Sequence, residues 1–269
     1  MSGFTLTPKS APPERLDLSA LTPSALAEMS AGQIAHIVLG TSKSPATVGD
    51  VFEITGRAGD VLTIAGGSDR YDFIGAKLDS GTIAVTGDVG AYAASEMKNG
   101  RLEIGGNAGP GLGAGMKGGV VHVKGSSGDL VGGVRAGAQY GMLGGTIVVE
   151  GDIGERAGDR MRRGTIIARG KFGRWAGTRM MGGTLWALQG FGDEPGLQMR
   201  RGTLIAPAVT KMLSTFSDGG MHDLTILRII SRDLAQSLGP LAPPPLPSKV
   251  HKYSGDLAIF GKGELLITA

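Results

Sequence analysis

The sequence has 269 residues but no cysteine, and only 5% of its residues are aromatic. Without cysteine the chain can form neither a disulfide framework nor a thiolate-ligated zinc or iron site. Its four histidines, His36, His122, His222 and His251, are scattered without the spacing of metal ligands. We therefore expect the chain by itself to bind no metal and no cofactor.

Long apolar runs are also missing. The chain contains no stretch of about 18 apolar residues, the length that a membrane-spanning helix needs. Residues 1–11 lack the charged start and continuous apolar run of a signal peptide. The net charge is only +3, which by itself specifies no partner. We expect a cytoplasmic protein without membrane contact.

Glycine, by contrast, is abundant, with 48 residues, and it recurs at a fixed period within residues 78–207. Every step between repeats is 19 residues long except one of 26, and the repeats begin at Leu78, Met97, Met116, Met142, Met161, Met180 and Met199. The long step adds seven residues between Gly132 and Gly141, including Arg135, Gln139 and Tyr140. Such an insertion projects as a loop, often on a binding face, and a tolerated surface loop is the equal alternative.

The pattern inside each repeat predicts short strands. Position 4 is always glycine, position 6 is always aliphatic, and runs of about 3 to 6 residues between glycines are too short for helices. We predict an all-β fold, a right-handed parallel β-helix of seven to eight 19-residue coils, with positions 1, 6, 8, 12 and 16 inside. Corner glycines should supply positive φ or close approach between coils. At position 13 they are Gly90, Gly109, Gly128, Gly154, Gly173 and Gly192.

The segments outside the repeat predict caps. We divide the chain into an N-terminal arm and cap (1–56), the β-helix (57–207) and a C-terminal part (208–269) with a helix, a proline-rich connector and closing strands. Residues 1–15 should form a loosely ordered arm, and Thr22-Pro23 should open a short helix. Strands are expected at 34–39 and 51–55. An amphipathic helix at 223–238, ending at Gly239, is expected to cover the open end of the last coil.

We assign no catalytic residue. The position 11 column, where a carbohydrate-active β-helix enzyme would carry paired carboxylates, reads Asp88, Asn107, Ser126, Asp152, Lys171. Its two aspartates are three coils apart, roughly 14 Å by strand spacing, whereas glycosidase pairs lie about 5 to 9.5 Å apart. His122, at position 7 between interior positions 6 and 8, is expected to face solvent. This column therefore disfavours a carbohydrate-active enzyme.

A cluster of basic residues is the sharpest surface feature. Between residues 156 and 201 three acidic residues stand against ten basic ones: Arg156, Arg160, Arg162, Arg163, Arg169, Lys171, Arg174, Arg179, Arg200 and Arg201. This arginine stripe predicts an anion-binding surface. The alternatives are a solubilising surface or a protein contact. Nucleic acid is less favoured because Trp175 is the one aromatic residue among the arginines that offers a stacking platform.

The glycine pattern also resembles known families. Gly-x-x-Gly-x-x-x-Gly occurs at Gly106-Gly109-Gly113, Gly125-Gly128-Gly132, Gly151-Gly154-Gly158 and Gly170-Gly173-Gly177. This pattern is similar to the β-helical domain of glutamate synthase large subunits and to the C subunit of formylmethanofuran dehydrogenases. Residues 71–97 and the tail at 253–265 resemble the second family more, and the resemblance covers about 45–269. It implies a non-catalytic β-helix that holds catalytic subunits together.

That family contains two machines. One is the archaeal molybdenum or tungsten dehydrogenase. The other is a bacterial formyltransferase/hydrolase complex, which moves formyl from tetrahydromethanopterin to a methanofuran-type carrier and releases formate. The alanine-, glycine- and arginine-rich composition without cysteine favours the second. A free-standing glutamate-synthase-like module stays an alternative.

The resemblance also implies partners for the chain. They are amidohydrolase-like, formyltransferase and dehydrogenase-B-like sister subunits, with the metal in one of them. Since methanofuran-type carriers bear glutamyl carboxylates, we expect the arginine stripe to hold the carrier's polyglutamyl tail.

Overall fold

The structure, a computed structural model, describes residues 3–12, 14–40, 42–43 and 45–268. The fold is mostly β, with one large sheet rich in parallel pairs, consistent with a β-helix. The N-terminal part contains β1 (Gly3–Pro8), β2 (Leu16–Asp17), α1 (Pro23–Leu26), α2 (Ala31–Ala35), α3 (Val48–Val51) and β3 (Phe52–Gly56). The repeats follow with β4 (Val61–Ile64), β5 (Tyr71–Asp72), β6 (Thr82–Val85), β7 (Arg101–Ile104), β8 (Val120–Val123), β9 (Thr146–Val149), β10 (Thr165–Ala168), β11 (Lys171–Phe172), β12 (Thr184–Ala187), β13 (Gly190–Asp193) and β14 (Arg201–Ala206).

The N-terminal segment is more ordered than predicted. Strand β1 pairs antiparallel with β3 and parallel with β4, and its alternating residues Phe4 and Leu6 are buried. A loosely ordered arm is therefore the wrong description for residues 3–8, although residues 1, 2 and 13 of that prediction lie outside the described residues. The alternation of Phe4 and Leu6 is a strand signal that the proline- and charge-rich surroundings obscured.

The predicted helix at Thr22-Pro23 is confirmed as α1, since the Thr22 hydroxyl accepts the Ala25 N–H and Pro23 occupies the first turn. The strand predicted at 34–39 is wrong, because a capping box between Ser30 and Gln33 starts α2 there instead. The strand predicted at 51–55 is confirmed as β3 with a shift of one residue.

The repeats stack in register. Strands β4, β6, β7, β8, β9, β10, β12 and β14 are successive parallel neighbours, so that equal repeat positions lie side by side. The insertion does not disturb this register, because Val121 of β8 pairs with Ile147 of β9. All of the extra chain is therefore accommodated outside the strands.

The core follows the predicted columns. Side chains at positions 1, 6 and 8 are buried, and methionines such as Met97, Met116 and Met142 are fully buried at position 1. One hydrophobic cluster extends from Phe4 to Leu265. The core therefore continues across both of the predicted limits, at 56 and at 207.

The glycines have two separate roles. None of the position 13 glycines has a left-handed φ; Gly173 is instead so close to the previous repeat that an added Cβ would lie 2.8 Å from the carbonyl carbon of Gly154. Left-handed φ occurs at positions 4, 15, 17 and 19, and at positions 15 and 19 it includes Arg156 (φ 56°) and Arg179 (φ 52°). The corner with positive φ is thus one that accepts side chains.

The C-terminal part consists of β15 (Val209–Lys211), β16 (Ser217–Asp223), α4 (Thr225–Leu238), a 3-10 turn (Gly239–Leu241), β17 (Lys249–Gly255) and β18 (Lys262–Thr268). The predicted amphipathic helix with its Gly239 stop is confirmed as α4. The predicted closing strands are confirmed too, since β18 pairs parallel with β14 and antiparallel with β17, which pairs with β16.

The prediction that helix α4 covers the open end of the last coil is wrong. Strand β18 pairs with β14 and so extends the sheet at that end. The helix instead lies on the outer face of the sheet, where Leu227, Leu234 and Leu238 share a second core with position 7 side chains such as Ile167 and Trp186. In the late repeats position 7 is apolar and therefore needs this cover. The candidate site lies elsewhere on the late repeats, because none of the cavities that form it is lined by α4.

Candidate functional site

The position 11 column is a hydrogen-bonded ladder. The Asn107 N–H donates to Asp88 (2.6 Å), the Ser126 N–H to Asn107 (2.9 Å), the Asp152 N–H to Ser126 (3.1 Å) and the Lys171 N–H to Asp152 (2.7 Å). Each side chain thus satisfies a backbone donor of the next repeat. The two aspartates are occupied in a structural role and lie in separate repeats, which gives this column no paired acid and base.

The prediction that His122 faces solvent is wrong, because its side chain is buried. Its Nε2 lies 3.0 Å from Glu150, whose other oxygen lies 2.6 Å from Arg169 Nε. Arg169 also donates to the carbonyls of Leu241 and Ala242. The network therefore joins the sheet to the proline-rich connector. In the part of the chain that the structure describes, no group of three His, Cys, Asp or Glu could hold a metal ion.

The arginine stripe divides between several surfaces. Arg169 belongs to the connector network just described, Lys171 is exposed at the ladder corner, Arg163 is exposed at position 3, and the Arg174 guanidinium lies 4.2 Å from the Trp175 ring centre. The other six residues line surface cavities: Arg156, Arg160, Arg162, Arg179, Arg200 and Arg201. The stripe is thus not one continuous row.

Two of these cavities adjoin each other and form what we call the basic groove. The first, of about 330 Å³, is lined by Gln139, Tyr140, Arg160, Arg179, Met181, Gln198, Arg200 and Ile259. The second, of about 320 Å³, is lined by Arg162, Met181, Arg200, Arg201, Phe260 and Lys262. Met181 and Arg200 belong to both cavities and therefore lie where the two meet.

Most of the positive charge in the basic groove has no acidic partner among the described residues. Among the described residues, five cations that line it form no ion pair: Arg160, Arg162, Arg200, Arg201 and Lys262. Arg179 differs, because it makes a forked contact with the fully buried carboxylate of Asp159, which also binds Arg156 at 2.7 Å. A partner anion would therefore meet several free cations beside one held in place.

Aromatic side chains orient two of the free cations. The Arg162 guanidinium lies 4.6 Å from the Tyr140 ring centre, and that of Arg200 lies 5.8 Å from Phe260. Both distances fall within the range of cation–π attraction. Tyr140 comes from the insertion and Phe260 from the turn between β17 and β18, so two elements outside the repeat form walls of the groove.

Sequence reasoning missed Phe260 and Lys262 as groove residues. Lys262 lies beside Arg201 because β18 pairs with β14, a contact across about 60 residues that no local pattern reveals. Tyr140 and Gln139 enter the prediction only as members of the insertion. The available signal was the insertion itself, the one irregularity in the period.

A third cavity extends the groove. It has about 330 Å³ and is lined by Arg156, Trp175, Thr178, Arg179, Leu197 and Gln198, of which Arg179 and Gln198 also line the first cavity. The Trp175 ring N–H donates to Glu194, which also binds Lys211. These hydrogen bonds, that from Lys211 foremost, hold the pKa of Glu194 below its ordinary value. This end of the groove is more apolar than the other.

Comparison with known proteins identifies the family. A segment of 66 residues is 47% identical to the C subunit of the formyltransferase/hydrolase complex Fhc of Methylorubrum extorquens, although it spans only 24% of this chain and 25% of that relative. A far longer match is a chain in the crystal structure of the formyltransferase/hydrolase complex FhcABCD from Methylorubrum extorquens in complex with methylofuran. It shares 41% identity with a TM-score of 0.92, over 98% of this chain and 99% of that chain. The chain belongs to the family of Fhc C subunits.

No protein-family model matches the sequence. Membership in this family confirms the resemblance drawn from the glycine pattern. The three alternatives are not favoured: a glutamate-synthase-like module, an archaeal dehydrogenase component and a carbohydrate-active enzyme. None of the helices among the described residues has the length and apolar character of a membrane span.

Proposed function

We propose that this chain is the non-catalytic scaffold subunit of a formyltransferase/hydrolase complex, which converts formyl-tetrahydromethanopterin to formate through a methanofuran-type carrier. The observation that carries the proposal is the full-length match to a chain of the FhcABCD crystal structure, which is a complex with methylofuran. The sister subunits would be amidohydrolase-like, formyltransferase and dehydrogenase-B-like, with the catalytic metal in one of them and the whole complex in the cytoplasm.

The architecture suits such a role. We infer that the stacked repeats form a right-handed parallel β-helix of seven to eight coils spanning 57–207, between an N-terminal cap and a C-terminal closing part. The in-register pairing of every strand from β4 to β14 in the large sheet supports this inference. A stacked body of this kind offers long rigid faces on which other subunits can dock.

For the basic groove we propose that it holds the polyglutamyl tail of the carrier. Five cations that form no ion pair with any described residue line it, and each exposed contact with a carboxylate contributes about 0.5 to 1 kcal/mol and is screened by salt. Many weak contacts keep a tail attached while each one exchanges, so the formyl-bearing head can move between active sites. Nucleic acid fits less well, because the ring faces of Tyr140, Trp175 and Phe260 already contact arginines.

Affinity purification of the native complex tests the scaffold role. A tag on this chain should recover a formyltransferase and an amidohydrolase-like subunit, and the chain alone should release no formate from the formylated carrier. Formate release by the isolated chain would contradict the non-catalytic role. Recovery of glutamate synthase components instead would favour the alternative module.

Charge reversal tests the groove. Arg162→Glu combined with Arg200→Glu should lower turnover with the polyglutamyl carrier by about tenfold or more at low salt, and less at high salt, because it removes two attractive contacts and adds two repulsive ones. Lys171→Glu, an exposed change at the ladder corner, is the matched control and should have little effect. Unchanged turnover would make the groove ordinary surface, and loss of assembly would make it a subunit interface.

A further inference from the structure

The insertion between Gly132 and Gly141 is a closed loop that leaves the stack unchanged. Its base is pinched by a hydrogen bond of 2.8 Å from the Met142 N–H to the Gly132 carbonyl. The Gly141 N–H donates to the Arg160 carbonyl of the next repeat. Because β8 and β9 stay in register, stacking the repeats needs none of the seven extra residues. The conformation of these residues is therefore not determined by the stacking of the repeats, and they can serve a binding function.

Arg135 fixes the loop to the corners of two earlier repeats. Its guanidinium donates to Glu96 at 3.0 Å and to Ser95 at 3.4 Å. It also lies 5.6 Å from the ring centres of both Phe73 and Tyr92, which stack on each other with 9° between their planes. A loop that is only tolerated has no need for an ion pair, a hydrogen bond and two cation–π contacts at one residue.

The same loop delivers two side chains to the basic groove. A turn follows the anchor, with the Ala138 N–H donating to the Arg135 carbonyl, and Gln139 and Tyr140 come next along the chain. Both line the first cavity, and the Tyr140 ring faces the Arg162 guanidinium at 4.6 Å. Arg162 has no carboxylate partner within the described residues, so the tyrosine ring is what restricts its orientation.

We infer that the insertion is a built wall of the anion-binding groove, in which Arg135 is a positioning residue and Tyr140 holds Arg162 ready for an extended chain of carboxylates. This inference rests on the proposed groove function and adds the device that prepares it. An exposed arginine loses rotamer freedom when it binds an anion, and orienting it beforehand reduces that cost. Arg135 touches none of the groove and acts through the loop.

The test uses the full chain and a fluorescently labelled oligo-γ-glutamate peptide, with binding followed by fluorescence anisotropy. Arg135→Ala and Tyr140→Ala should each weaken binding about two- to fivefold, the factor expected when one exposed cation–π contact is lost. The double variant should bind the peptide no more weakly than the single variant with the larger effect, because both changes disrupt the same positioning of Arg162. Tyr140→Phe, which keeps the ring, should bind like the unaltered chain.

Two controls separate a local role from general effects. Arg228→Ala removes one exposed charge from α4 and should leave affinity unchanged, which accounts for the charge lost in Arg135→Ala. Melting temperatures of all variants should stay close to that of the unaltered chain. Variants that melt earlier yet bind normally would overturn the inference, as would additive effects of Arg135→Ala and Tyr140→Ala.

Arg200→Ala distinguishes this inference from the groove proposal beneath it. Arg200 lies between the two cavities, and its cation–π partner is Phe260, which is not part of the insertion. If Arg200→Ala leaves peptide binding unchanged, the groove proposal itself fails. If Arg200→Ala weakens binding but Arg135→Ala and Tyr140→Ala do not, the groove stands and the insertion is a tolerated loop.

Discussion

The corner at positions 10–13 of each repeat and the corner at positions 15–19 turn the chain by different means. At the first corner the backbones of successive repeats are in close contact, as at Gly173, and the position 11 side chains accept hydrogen bonds from the backbone of the next repeat. At the second, three residues with left-handed φ alternate at positions 15, 17 and 19. The first corner is limited by space and the second by backbone conformation.

This difference determines where a functional surface can be placed. A side chain is disfavoured at position 13, because a Cβ there would lie 2.7 to 3.0 Å from backbone atoms, which have little room to move. At positions 15 and 19 the left-handed conformation costs an ordinary residue about 1 to 2 kcal/mol but leaves its side chain free to point outward. Arg156, Arg160 and Arg179 occupy that corner and line cavities. The corner with left-handed backbone thus carries several of the charged side chains that line the cavities.

The largest expected effect is at the crowded corner. Gly173→Val should lower the stability of the chain by about 3 kcal/mol or more, because its Cβ would lie 2.8 Å from the carbonyl carbon of Gly154. In a chain of this size that corresponds to a melting temperature lower by about 6 to 12 °C. Thermal melting followed by circular dichroism measures it.

Gly177→Ala, four residues further on, is the matched control at the other corner. Its φ is 74° and the nearest obstacle is a flexible atom of Leu204 at 3.1 Å, while Ala94 already occupies the equivalent position 17. This variant should lose only about 1 kcal/mol. If Gly173→Val melted no lower than Gly177→Ala, crowding would not be what requires glycine at position 13.

A smaller effect is expected in the ladder beside that corner. Asp152→Ala leaves the Lys171 N–H without its acceptor and should cost about 0.5 to 1.5 kcal/mol, since water can partly replace the carboxylate at this exposed site. Lys171→Ala, one step along the same column, removes a side chain that makes no ladder hydrogen bond. Equal losses for the two variants in thermal melting would show that the ladder contributes nothing.

Periodic features of the fold could be predicted from the sequence because repetition makes each column visible several times. The interior positions 1, 6 and 8 and the strands at 82–85 and 101–104 follow from alternation alone. Features that occur once were harder. Strand β1 and helix α2 depend on pairing with β4 and on a single capping box, and the 34–39 prediction failed for that reason.

The candidate site was predictable only in part, for the same physical reason. Arg162 and Arg200 could be grouped because both stand at position 2 of their repeats, two 19-residue periods apart, and Arg160 directly precedes the first of these repeats. Phe260 and Lys262 reach the groove through the β14–β18 pairing, and Tyr140 reaches it through the anchored insertion. Conversely, the charge pattern places Arg169 in the stripe, although Arg169 binds Glu150 and does not line the groove. Local charge patterns do not report which face a side chain takes.

The smallest expected effect concerns the strained corner and is visible as a pH dependence. Glu194 has a left-handed φ of 56°, and hydrogen bonds from Lys211 and then Trp175 lower its pKa from the ordinary 4.5. A carboxylate whose pKa is lower in the folded chain stabilises the fold above its unfolded pKa, and this contribution is lost as pH falls through the folded pKa. Glu194→Gln should therefore melt slightly earlier near neutral pH, with the difference vanishing in acid.

A second variant, Lys211→Met, tests whether the hydrogen bond from Lys211 causes the pH-dependent stabilisation by Glu194. Lys211 supplies the strongest of the hydrogen bonds that lower the Glu194 pKa. Without it, Glu194→Gln should change the pH dependence of melting much less than in the unaltered chain, because the two residues act as one pair. Should the change be equally large in both backgrounds, the pair does not stabilise this corner, and Trp175 would be held there by its packing and its stacking with Arg174 instead.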